Sequence, residues 1–163
     1  MELKKMIEVI SVQTGILNEL LLVLERESTE MGDVNTTAMN VSNEAKEELI
    51  ARIAEHAPHI KQAVSKLAVN NGLPGTASLG TVAELVAKGG SPELLAKQQQ
   101  ILRTAERVQQ AAALNREIAE RFASSVSTSL NLITRLINQS NVYGASGDYQ
   151  QRPAGAVMIN REA

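Results

Sequence analysis

One uninterrupted run constrains this chain more than any other feature. Ser91-Pro92-Glu93 supplies an N-cap, a proline at the first helical position and an acid in the first turn. From there to about Asn138 the chain has neither glycine nor proline. Leu94, Ile101, Val108, Phe122 and Leu136 fall on one seven-residue line, and Ala105, Ala112, Ala119, Val126 and Ile133 on the adjacent one. The pattern predicts a helix over 91–138, about 70 Å long at 1.5 Å per residue. Such a stripe can pack on other helices lying side by side with it.

Two further helical patterns are available to cover it. Over residues 2–30, Leu3, Ile10, Leu17 and Leu24 lie seven apart, with Ile7, Leu20 and Leu21 beside them. Over 36–69, Met39, Ile53, Ile60 and Leu67 form a second line, supported by Leu49, Ile50, Ala63 and Val64. Glu44, Glu48, Lys61 and Ser65 point to solvent. Pro58 predicts a kink or short break in this helix. A short amphipathic piece over 80–88 follows the turn residues Asn70 to Gly75, and Gly89-Gly90 ends it. The chain has 163 residues, 44% hydrophobic but only 2% aromatic, so its core must be aliphatic, which suits close-packed helices. The expected fold is all-α: an elongated antiparallel three-helix bundle over residues 1–141 with coiled-coil-like packing, followed by a flexible C-terminal tail over 142–163.

Chemistry is hard to place on such a chain. There is no cysteine, which removes thiol nucleophiles, zinc ribbons and disulfides. The two histidines, His56 and His59, lie three apart without the Glu-x-x-His partners of a metal-binding bundle, and read as a solvated pair. Gly72, Gly75 and Gly80 are loosely spaced and lack a phosphate-binding lysine. No catalytic residue, metal ligand, cofactor or small-molecule substrate is expected, and the chain does not read as an enzyme. A net charge of −2 without basic blocks argues against nucleic acid as a partner. The opening MELKKMIEVISVQTG is broken by acidic and polar residues and does not read as a signal peptide. No run reaches 18 uninterrupted apolar residues, so no membrane insertion is expected.

Protein-binding surface remains. From Ala123 to Thr134 no residue is charged, while Val126, Leu130, Leu132 and Ile133 alternate with Ser, Thr and Asn. An exposed helix face ordinarily carries Glu and Lys. Two readings stay open: a core face touching both other helices, or a site for a partner helix. Asn115 interrupts the apolar line between Val108 and Phe122; it either sets register within a seam or faces solvent.

Leu114-Asn115, the weakly charged Ser/Leu run after it, and Tyr143-Gly144-Ala145-Ser146-Gly147 resemble the FlgN-like flagellar type III export chaperones. The leucine-rich first helix with Glu25 and Glu27, and Lys46 before Leu49-Ile50 in the second, are similar in layout. Where that family often has a second asparagine, this chain has Ile118. The resemblance implies a cytoplasmic chaperone that masks the C-terminal helices of hook-associated (hook-filament junction) proteins and delivers them to the flagellar export gate. Phe122, Val126, Leu130, Ile133, Leu136 and Ile137 are the expected client contacts. Tyr143 and Gly144 are the expected export-gate docking residues. The alternative is a self-associating helical structural or adaptor protein with no secretion role.

Overall fold

A computed structural model describes residues 2–139. It is all-α, with four helices: α1 Glu2–Gly32, α2 Thr36–Asn70, α3 Leu79–Lys88 and α4 Glu93–Gln139. There is no strand among the described residues. The tail expected over 142–163 lies outside them. α2 passes through Pro58 without a break. Pro58 and Ala54 are both exposed, so the carbonyl that the proline cannot bond faces the solvent side of the helix.

Three of the helices end in the same way. After α1, the amide of Asn35 donates to the Glu30 carbonyl (2.9 Å) and that of Val34 to Met31 (3.2 Å). After α2, Leu73 donates to Ala68 (2.9 Å) and Gly72 to Val69 (3.1 Å); after α3, Ser91 donates to Val86 (3.2 Å) and Gly90 to Ala87 (3.0 Å). This paired bonding satisfies carbonyls left open at a helix end, and it needs a left-handed residue at its centre. Gly72 (φ 75°) and Gly90 (φ 96°) supply it at little steric cost, but the α1 end uses Val34 (φ 53°). Asn35 then begins the next helix at once: its side chain accepts from the Ala38 amide at 3.1 Å. The α1–α2 connection is therefore as tight as two caps allow.

Cross-helix bonds set how α1 and α2 meet. Ser42 donates to Glu30 (2.7 Å), Lys46 to Glu27, and Arg52 to Glu19 (2.8 Å), while His56 Nδ1 bonds Gln13 Oε1 at 2.9 Å. The α1 partner number falls as the chain climbs α2. Between these polar contacts lie two apolar clusters. One gathers Met6, Ile10, Val64, Leu67, Ala68, Val82, Ala83 and Leu94, and so joins all four helices. The other gathers Ile16, Leu20, Leu24 and Leu49, with Val108 and Ala111 of α4 packed against it. Ile50, expected to support the core, is instead 56% exposed. It is adjacent to the buried Leu49, about 100° away around the helix, and a narrow stripe holds only one of the two.

By length and composition α1 is apolar enough to cross a membrane, with a mean hydropathy of 1.6 over 18 residues. Counting only unbroken apolar runs missed this, because isolated polar residues barely lower a window average. In this fold Met6, Ile10, Ile16, Leu20, Leu21 and Leu24 of the same helix are buried against the rest of the protein.

The chain divides into two compact units, residues 1–118 and 119–163. Both apolar clusters belong to the first. In the second, the described part is the last stretch of α4, and none of residues 119–137 is buried.

Candidate functional site

The exposed stripe on α4 begins at Phe122. Phe122 is 52% exposed, Val126 43%, Leu130 51%, Ile133 51%, Leu136 61% and Ile137 62%. At about 100° per residue these six positions span roughly a third of the helix circumference, over about 23 Å of its length. Leu132, also 58% exposed, lies outside that arc. The core-face reading of this segment does not hold: these side chains belong to neither apolar cluster.

The polar residues of the segment are arranged so that they do little to interrupt it. Thr128 Oγ1 donates to the Ser124 carbonyl and Ser129 Oγ to the Ser125 carbonyl, both at 3.0 Å. A hydroxyl bonded back into its own helix no longer offers its proton to a partner. With no charged residue between Ala123 and Thr134, the segment is electrostatically neutral as well as apolar. Tyr143 and Gly144 lie outside the described residues, so the structure places neither.

Asn115 is the last buried residue described in α4. It is 7% exposed, which removes the solvent-facing reading. Its Nδ2 donates to the Leu24 carbonyl and to Glu27 Oε2, each at 2.8 Å. Glu27 also accepts from Lys46 Nζ. One residue from each long helix thus meets in a single polar layer. In the sequence Glu27 and Lys46 stand out only through the family layout and Asn115 also as the break in the apolar line, and nothing there links the three.

The histidines sit elsewhere. His56 is held by Gln13, whose residue exposure is 6%, so the pair is not simply solvated. The two rings lie 5.9 Å apart and line shallow hollows with Val9, Val12, Arg52 and Lys66. Among the described residues no group of three or more His, Cys, Asp or Glu side chains could hold a metal.

Among the described residues the protein is all-helical, with a long apolar face exposed on α4. The family model described as FlgN protein matches residues 1–151. The chain belongs to the FlgN family, a family of flagellar chaperones. No curated protein and no solved structure matches it.

Proposed function

We propose that this protein is a cytoplasmic flagellar export chaperone. It covers the C-terminal helices of hook-filament junction proteins with the α4 stripe Phe122, Val126, Leu130, Ile133, Leu136 and Ile137, and hands them to the type III export gate. The observation that carries the reading is the exposure of that stripe in a chain of this family. An amphipathic client helix would bury its apolar face there, through contacts spaced at i, i+4, i+8 and i+11. Since neither side of the face carries charge in its central turns, binding would rest on apolar area and packing, with no charge pair to fix its orientation.

In this reading the three long helices within residues 1–141 form an antiparallel bundle. Tyr143 and Gly144 would dock on the export gate after the client is loaded, an aromatic anchor beside a permissive backbone. No covalent step is involved; the work is masking followed by transfer.

The test is a sizing column loaded with the full chain and C-terminal fragments of hook-filament junction proteins. A discrete complex that Leu130→Asp with Ile133→Asp abolishes is expected. Concentration-dependent homodimers without a complex would overturn the reading in favour of a self-associating adaptor. Tyr143→Ala should leave the complex intact and lower export.

A further inference from the structure

We propose that the Glu27–Lys46–Asn115 layer fixes the register of α4 along α1 and α2, and that this is its role ahead of any contribution to stability. The apolar residues of α4 leave its register open. Leu94, Ile101 and Val108 repeat at seven-residue steps, and Phe122 continues the same line beyond Asn115. A helix displaced by one heptad would move about 10 Å and still place two of these three residues in positions that another of them now fills.

Asn115 breaks that degeneracy. In the observed register its amide meets two acceptors on α1, the Leu24 carbonyl and the Glu27 carboxylate, both at 2.8 Å. Glu27 is 6% exposed and takes its other bond from Lys46. A one-heptad displacement in one direction brings Val108 opposite Glu27, and in the other Phe122. Either one withdraws the amide from the buried Glu27 carboxylate, and the second also carries Asn115 into the place of Val108, against the second apolar cluster. Both changes leave a buried polar group unpaired, which an interior penalises heavily.

A second observation separates register from stability. Asn115 Oδ1 is buried and no donor among the described residues reaches it. The amide cannot turn over to improve this, since its oxygen would then face a carbonyl and a carboxylate. A layer optimised for stability would satisfy every atom or be apolar throughout. This one is incompletely satisfied and still occupies the seam where three helices meet.

The test replaces the whole layer, so that no charge is stranded, as Glu27→Leu, Lys46→Leu and Asn115→Leu in one full chain. Spin labels go on Leu22→Cys of α1 and Leu102→Cys of α4, both exposed positions in a chain with no native cysteine. The natural layer should give a single narrow distance distribution. The replaced layer should keep its helicity and thermal midpoint, and give a broadened or two-peaked distribution with members displaced by up to about 10 Å, one heptad of rise. A folded triple variant with one unchanged narrow peak would overturn the proposal. So would loss of helicity in both the triple variant and Asn115→Leu alone, because the layer would then be a stability element.

Discussion

Lys46 donates to Glu27 across the α1–α2 interface with side-chain exposures of 22% and 8%. The neighbouring pair, Arg52 and Glu19, is 2.8 Å apart but exposed at 43% and 54%. The two pairs join the same helices, yet their removal should differ sharply. Glu27→Ala leaves a largely buried ammonium and the Asn115 amide without their acceptor. The expected cost is about 2–3 kcal/mol, tempered because Lys46 keeps some contact with water. Glu19→Ala strands nothing and should cost less than about 1 kcal/mol. Denaturant midpoints of the two variants, compared at one ionic strength, check the contrast.

Val34→Gly should stabilise the protein. Val34 holds φ 53° at the helix end where the two equivalent positions are glycines. A β-branched residue there costs about 1–2 kcal/mol, and glycine returns part of the gain through a freer unfolded chain, leaving about 0.5–1 kcal/mol. Val34 is 54% exposed, so little burial is lost. A lower thermal midpoint in the glycine variant would show that the valine makes a compensating contact.

Leu130→Asp with Ile133→Asp should change stability by about 1 kcal/mol or less, mostly through helix propensity, since both side chains are half exposed. Leu94→Ala is the control. Leu94 is fully buried in the cluster that joins all four helices, and its truncation should cost about 3 kcal/mol. Thermal melts followed by circular dichroism distinguish them. A large loss in the double aspartate variant would mean that the stripe packs within the protein.

Ser78→Ala removes the side chain that accepts from the Thr81 amide at 3.1 Å at the start of α3. The expected cost is about 1 kcal/mol, felt in the first apolar cluster because Val82 and Ala83 follow immediately. Amide exchange of Thr81 and Val82 should rise ahead of that in α1.

The apolar half of the fold was readable because spacing carries it. Leu94, Ile101 and Val108 were placed by their seven-residue steps, and all three pack into the clusters. Strict seven-residue lines nevertheless drift by about 20° per heptad on a straight helix. Leu3 and Leu17 are accordingly only half-buried, while Met6, off the line, is fully enclosed. Most of the polar interior was not readable. Gln13, Thr14, Glu27 and Ser42 are all buried, but unlike Asn115 none of them falls on one of the seven-residue lines. Their burial is tolerated through partners: Thr14 bonds back to the Ile10 carbonyl at 2.8 Å, and Gln13, Glu27 and Ser42 bond across to α2. The neutral run after Ala123 was visible in the sequence, but its exposure was not, because a buried face and an unclaimed one share the same composition.

The three-residue step from α1 to α2 has a consequence for the order in which the protein assembles. Ser42 finds Glu30 only 12 positions back along the chain, and Lys46 finds Glu27 only 19 back, whereas Asn115 reaches Leu24 across 91. Closing a short loop costs less entropy than closing a long one, and local contacts speed folding. The α1–α2 hairpin should therefore form first, starting from the strained turn at Val34, and α4 should dock onto a ready-made groove. On a ribosome that hairpin is synthesised before α4 exists, so Leu24 and Glu27 wait for Asn115. Pulse-labelled exchange during refolding should protect the amides of α1 and α2 before those of residues 94–115.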